Sequence, residues 1–379
     1  MATSLDGVPP DTWNGLNEGR PFNPFVSHEF LHALEISGSA TAKTGWLGQH
    51  LLLETQEGEL LGALPCYLKN HSQGEYVFDH SWADAFMRAG GNYYPKLQCS
   101  VPFTPATGPR LLVPDCENRD ARQAALLEGL RQLCTRLKVS SAHITFMEEQ
   151  EWDSGGENGF LQRTDQQFHW LNEGYGTFDD FLAALSSRKR KNIRKERLTA
   201  LQDGAITIEH LTGSDITEDI WDRFYQFYMD TGARKWGTPY LTREFFSRIG
   251  AALPENTLLI LAKREGNYVA GAINFIGDEC IYGRHWGCIE DHPCLHFEVC
   301  YYQAIDYAIQ HGLKRVEAGA QGSHKLARGY LPVTTRSIHW ITHPGLRDAV
   351  EDYLVHERRE VDRHNEILTE HAPFRKDER

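Results

Sequence analysis

The sequence repeats itself, and that limits the fold more than any other feature. Residues 57–64 read EGELLGAL and residues 265–273 read EGNYVAGAI, each a hairpin-like turn followed by Gly-Ala and an apolar strand. His80-Ser-Trp82-Ala-Asp84 follows the first, and His285-Trp286-Gly-Cys-Ile-Glu290-Asp291 follows the second. Each half then closes on a strand with His-Trp, QFHWL at 167–171 and SIHWI at 337–341. Three landmarks in one order, spaced well beyond the ~20–50 residues of solenoid periods, predict a duplicated domain. At 379 residues the chain is long enough for two domains.

The elements between these landmarks predict an α/β fold with mixed sheets. Ser27 caps a helix over 23–38, and strands are expected at 50–54, 61–68 and 75–79. A Pro- and Tyr-rich loop at 90–110 precedes an amphipathic helix at 121–138 and a buried strand at 142–147. Residues 1–20, polar and rich in Gly and Pro, read as a loosely held arm. Thr177 caps a helix leading into a basic run, SSRKRKNIRKER. The second half reads as helices at 218–230 and 242–252, strands at 257–263, 268–276 and 279–286, and a helix at 295–311. A strand at 314–318, a short helix at 323–330, a strand at 335–342 and a charged helix at 346–370 complete it. The implied division is 20–175, a basic helical connector 176–204, and 205–379.

Bulk chemistry narrows the class. Hydrophobic residues at 41% and charged residues at 24% fit a globular protein, and no apolar run approaches the ~18 residues of a membrane span. The N-terminus lacks a basic stretch followed by an apolar one, so no signal peptide is expected and the cytoplasm is the expected compartment, with contact at the inner membrane surface as an option. None of the eight cysteines forms Cys-x-x-Cys, which points to reduced thiols. A net charge of −13 disfavours general nucleic-acid affinity but permits a local basic site.

The order β-β-β-α-β-α-β resembles the GNAT acyltransferase fold, and two copies joined by a basic helix resemble the FemAB-like group within it. The words VFDHSWADAF, YYPKLQCSVPFTPATGPRLL, SSRKRKNIRKER, LHFEVCYYQAI and EAGAQGSHKLARGY are similar to a family of peptidoglycan-biosynthesis-like N-acyltransferases. The resemblance implies tandem GNAT-like domains and transfer of an acyl group to an amine. GNAT enzymes cradle the donor pyrophosphate with a Gln/Arg-x-x-Gly-x-Gly/Ala loop. Arg284 and Gly287 keep part of that word, Ile289 breaks it, and Glu290 and Asp291 would repel phosphate. In the first half His80 to Ala85 stands further from it.

N-acyl transfer needs an amine without its proton, a positioned carbonyl and a proton for the leaving group. Glu298 in the first turn of a helix, Glu317 at a strand end and His285 beside Trp286 are the candidate bases. For each, a structural role competes: helix-start carboxylate, edge carboxylate, hydrogen-bonded core histidine. Gln321, Gly322, His324, Lys325 and Arg328 follow the strand in a glycine-rich turn suited to phosphate or carboxylate contacts, or simply to a tight turn. The resemblance places Tyr330 where GNAT enzymes carry a tyrosine acid. Lys191, Arg194 and Lys195 mark an anion-binding or membrane-surface helix face, with a plain solvated face as the alternative. A metal is disfavoured, because His285, Cys288, His292, Cys294, His296 and Cys300 match no paired-ligand spacing.

The expected reaction is acyl transfer from a thioester such as acyl-CoA, with no tightly bound cofactor, to an amine of a cell-envelope, lipid-like or peptide-like acceptor. The acceptor is expected in the cleft between the copies, lined by Tyr93, Tyr94 and Phe103. Aminoacyl-tRNA is the rival donor, disfavoured by one short basic stripe on an acidic chain, and a non-catalytic binding protein is the rival from another class.

Overall fold

The computed structural model describes residues 1–235, 239–319 and 322–375. The described residues form thirteen strands, and the chain divides into two compact units that interleave in sequence. The first takes residues 1–166 and 334–364, the second 167–333 and 365 onward. The sequence reading has continuous halves instead, with the basic helix as a connector; the helices Phe178–Ala184 and Ser187–Leu201 fall within the second unit.

In the first unit β1 (Leu47–Gly48) pairs with β4 (Tyr67–Lys69), while β2 (Leu51–Glu54) and β3 (Leu60–Leu64) form a separate hairpin. β4 pairs antiparallel with β5 (Lys96–Cys99), and β5 runs parallel to β6 (Ser141–Thr145). Strand β7 (Leu161–Leu171) carries the first His-Trp word into the second unit. There β8 (Ile206–Thr212), β9 (Thr257–Arg264), β10 (Asn267–Ile276) and β11 (Cys280–Cys288) form an antiparallel meander. β12 (Arg315–Glu317) runs parallel to β11 and antiparallel to β7. Strand β13 (Leu331–Ile341) returns the second His-Trp word to the first unit, where Ser337–Ile341 pair with β6.

The duplication is thus visible as register. His339 stands opposite His143 on β6, and His169 stands opposite Glu317 on β12. The final strand of each half completes the sheet built mainly from the other half. Both glycine-turn words are hairpins, β2–β3 and β9–β10. His80, however, begins the helix His80–Arg88 and has no strand counterpart to His285. The strand before the long helix Arg119–Leu137 is β5, so the loop 100–118 holds the place assigned to residues 80–85.

Two further expectations fail for physical reasons. No strand forms at 75–79, because Glu75 and Asp79 turn inward to Lys96 and Tyr76 adopts φ 61°. The N-terminal segment is packed: Leu5, Trp13 and Leu16 are buried, and the Trp13 indole donates to the Val26 carbonyl at 2.9 Å. The capping readings stand, since Ser27 accepts from the Phe30 amide and Thr177 from the Asp180 amide.

Each sheet has its own core. In the first unit Leu97, Cys99, Ala142, Ile144 and Ile338 face the leucines of helix Arg119–Leu137. In the second, β9, β10 and β11 pack against the helix Leu295–Gln310 and against Phe181, Leu182, Leu185 and Ile193. Among the described residues no helix is long and apolar enough to cross a membrane.

Candidate functional site

The central strands of the second unit part company. β11 pairs with β10 over its whole length but with β12 only from Cys280 to Tyr282, opposite Arg315 to Glu317. Beyond Gly283 no ladder joins them, and a register shift at Ile273/Asn274 leaves Arg284 as an extra residue on β11. The facing helix distorts at the same level, with a π-turn over Glu298–Tyr302 between two α-helical pieces. A cavity of about 80 Å³ lies here, lined by Asn274, Arg284, His285, His296, Cys300 and Tyr301. That is far below the roughly 300–1,000 Å³ of a site for a whole drug-sized ligand and leaves room for only a few atoms.

Lys325 lies within electrostatic reach of Arg284 and Cys300, two residues that line this cavity. Its side chain is 1% exposed, and its ammonium donates to the Gly319 carbonyl at 2.8 Å. Burial, and behind it the Arg284 charge, pull the amine down to about 7 against the opposing influence of Cys300. His324 meets the Tyr301 hydroxyl at 2.9 Å. Tyr330 packs against Tyr301 with ring centroids 5.5 Å apart, is fully buried, and its hydroxyl has no hydrogen-bond partner. Burial lifts that phenol well above its ordinary range, so it stays a donor. His285 lines the cavity as a neutral imidazole, since burial and then Arg284 push it down to about 3.

The two carboxylates part ways. Glu298 is fully buried and clamped by Arg197, whose nitrogens lie 2.9–3.2 Å from its oxygens, and by Gln303 at 2.7 Å. Arg197 also reaches Asp306 at 2.8 Å. These contacts tie the basic helix to the distorted one. Glu317 keeps one oxygen open: Oε1 accepts from Arg315 at 3.1 Å, while Oε2 lies 3.8 Å from His169 with no hydrogen bond.

The donor residues are also sorted by their contacts. Arg328 pairs with Glu196 at 2.9 and 3.0 Å and lies 3.4 Å over the Phe297 ring, which makes it a strut. At Gly287 a Cβ would fall 2.0 Å from the Phe227 carbonyl oxygen, so that glycine serves close packing of the helix Glu218–Lys235 rather than phosphate. Gly322 adopts φ 122°, a conformation that favours glycine. Gln321 lies outside the described residues. In the loop after β11 four amides are already bonded: that of Ile289 donates to Val269, and those of Leu295, Phe297 and Glu298 donate within the turn. Glu290 is held by Arg264 at 3.2 Å and His292 at 2.7 Å.

On the helix Ser187–Leu201, Lys191, Arg194 and Lys195 are exposed, with Arg194 on Asp179 at 3.0 Å, while Ile193 and Ala200 are buried. Arg197, on the same helix, turns inward to Glu298 and Asp306. Among the described residues no group of three or more His, Cys, Asp or Glu side chains is arranged to hold a metal ion. The aromatic loop of the first unit is packed: Tyr93 and Phe103 are buried, Tyr93 donating to Asp79 and Phe103 set edge-on to Trp46.

Three cavity-side residues escape a sequence reading. Asn274, fully buried with an unpartnered Oδ1, and Cys300 line the cavity, and His169 faces Glu317 from a strand some 150 residues away in sequence. Only the repeated His-Trp word signals the last.

The family model for FemAB-like proteins, described by peptidoglycan biosynthesis and recognition, matches residues 4–376. The chain belongs to the FemAB-like family. No curated protein sequence matches it. Among solved structures it is similar to that of FemX, at 13% identity over 90% of this chain and 98% of that one, with a TM-score of 0.55. L-PGS from Bacillus licheniformis is similar at 10% identity over 89% and 98%, with a TM-score of 0.51. The C-terminal domain of a putative lysylphosphatidylglycerol synthetase from Agrobacterium fabrum follows at 10% over 91% and 95%, with 0.50. These likenesses establish the fold of this FemAB-like chain, tandem GNAT-like and mixed α/β.

Proposed function

We propose that this FemAB-like protein transfers an acyl or aminoacyl group from an activated ester to an amine, with the reaction in the second unit where β11 and β12 separate. The observation that carries this is Lys325, a buried lysine whose amine is drawn down to about 7 by burial and by Arg284, a residue that lines the small cavity. In its neutral form it accepts the proton lost as the amine nitrogen attacks the carbonyl carbon. Tyr330, with a buried hydroxyl lacking a partner, is placed to return a proton to the departing oxygen or sulfur. Glu317 and His169 form the second polar pair at the strand end.

For the donor, the geometry favours the opposite choice to composition. A thioester of coenzyme A held in the GNAT manner would set its phosphates against the amides after β11, where the Ile289 amide is already bonded to Val269 and the Glu290 carboxylate adds a like charge. An aminoacyl-tRNA needs a basic surface, which exposed Lys191, Arg194 and Lys195 offer. We therefore favour the tRNA ester, with a peptide-like or lipid-like amine as acceptor, in keeping with the family's link to peptidoglycan. The test supplies radiolabelled aminoacyl-tRNA or acyl-CoA with a panel of cell-envelope amines. Transfer from tRNA that falls roughly 10²–10⁴-fold in Lys325→Met supports the reading. Transfer from acyl-CoA alone overturns the donor, and an unchanged rate in Lys325→Met overturns the site.

A further inference from the structure

One face of the first unit's sheet is chemically out of place. An antiparallel or mixed sheet with one apolar face commonly leaves the other to water. Here the apolar face packs on the helix Arg119–Leu137, and the opposite face carries Tyr67 and Lys69 of β4, Lys96 and Gln98 of β5, His143 of β6 and His339 of β13. Only Ile341, at one end, interrupts this polar pattern. Yet all six of those polar side chains are buried, Lys69 and Lys96 completely. The pattern along the strands is that of a wet surface, and the structure shows it covered.

The cover is the segment 71–95, which contains the helix His80–Arg88. It brings two carboxylates. Glu75 meets the Lys96 ammonium at 2.7 Å and Asp79 meets it at 2.5 Å, with Lys69 3.9 Å from Glu75. Trp82 of the cover stands edge-on to His339, ring centroids 5.0 Å apart, and Tyr93 donates to Asp79. The fit is incomplete: Gln98 Oε1, Ser100 Oγ, Tyr67 Oη and Glu75 Oε1 are buried without a hydrogen bond. A native interior leaves few such atoms. The outer side of the cover is mixed where it meets solvent, with Phe78 and Met87 exposed among Gln73, His80, Asp84, Arg88 and Asn92. Glycines in the left-handed region, Gly74 at φ 78° and Gly90 at φ 85°, flank the helix.

We propose that this sheet face is a binding site for a polar small molecule bearing a phosphate or carboxylate group, and that the segment 71–95 closes it by placing Glu75 and Asp79 where the ligand's acidic groups go. The two lysines supply charge, as point cations suited to either group. Gln98, Ser100 and Tyr67 supply the hydrogen bonds now unmade. Ligand entry displaces the two carboxylates to solvent, so affinity is set by competition between the cover and the ligand. The site lies within the first unit and its occupancy is read without turnover, so it stands or falls separately from the transfer reaction.

The experiment titrates the full chain with glucose 1-phosphate and, separately, citrate by calorimetry. The wild type is expected to bind one of them weakly. Glu75→Gln/Asp79→Asn removes the competing carboxylates and should tighten that binding at least roughly tenfold, and adding Lys96→Met should abolish it. Which probe responds distinguishes a phosphate from a carboxylate ligand. A folded double variant that binds neither probe, or binding that survives Lys96→Met, overturns the proposal. Hydrogen exchange of the wild type covers the case in which the variants do not fold. The segment 71–95 should exchange faster than helix Arg119–Leu137 and slow when the binding probe is added. Equal protection of the two segments, unmoved by either probe, also overturns it.

Discussion

Arg197→Met separates the two roles open to Glu298. In the structure Glu298 is wholly buried and Arg197 supplies three of its hydrogen bonds, the fourth coming from Gln303. Methionine keeps the length of the stem but strands a buried carboxylate beside Asp306. Removing one partner of a buried pair costs about 3–5 kcal/mol, chiefly because the remaining charge is unpaired. For a unit of this size roughly 2–4 °C accompanies each kcal/mol, so the melting temperature should fall by roughly 6–20 °C. The triple variant R197M/E298Q/D306N removes the stranded charges and should recover much of that loss. Scanning calorimetry gives the melting values, and the transfer assay run below the lowest transition gives activity. E298Q should retain turnover while losing stability. If R197M melts like the wild type and E298Q abolishes transfer, the clamp reading is wrong and Glu298 is a base.

The remaining predictions are independent of that one. With Lys325 acting as base at about 7, kcat/KM should rise with pH through that value, and Lys325→Met should remove that limb. The unfolded lysine binds its proton up to its ordinary value of 10.5, the folded one only to about 7, so stability should grow with pH across that window and the growth should lessen in Lys325→Met. Thermal melts from pH 7 to 10 check the sign. Tyr330→Phe removes a buried hydroxyl without a partner, so stability should change by under about 1 kcal/mol while turnover drops roughly 100-fold or more; equal loss of both would refute its role as acid. Gly287→Ala forces a methyl onto the Phe227 carbonyl and should cost about 1–3 kcal/mol, read as a lowered melting temperature. Lys191→Glu/Lys195→Glu should leave melting unchanged but lower the salt slope of tRNA binding by roughly 2; an unchanged slope removes this face from the footprint.

What the sequence discloses and what it hides follow from locality. Capping by Ser27 and Thr177, the glycine hairpins and the helix Leu295–Gln310 depend on neighbours within a few residues, and all are legible. The repeated His-Trp strands betray the duplication, but not that each completes the sheet built from the other half, since pairing between residues 144–200 positions apart leaves no local trace. Residues 75–79 alternate like a strand and are pulled out of one by Lys96, a tertiary ion pair that no window reveals. At the site, the glycine-rich turn after a strand offers Lys325 only as a phosphate or carboxylate contact, and Tyr330 enters only through the family resemblance. For Glu298 the sequence is silent on its partner, because a first-turn carboxylate looks the same whether it faces substrate or Arg197, on a helix 101 residues earlier. Asn274 carries no motif and His169 only the repeated His-Trp word, and it takes the parting of β11 from β12 to bring them into view.

The account rests on the reacting carbonyl entering the second unit where β11 leaves β12. Photolabelling with a diazirine-bearing aminoacyl-nucleoside amide, followed by mass spectrometry of the peptides, reads that placement directly. Adducts should fall within 272–301 and 318–330, and should be lost when unlabelled aminoacyl-tRNA competes. Adducts confined to the first unit, or scattered and insensitive to competitor, would contradict it.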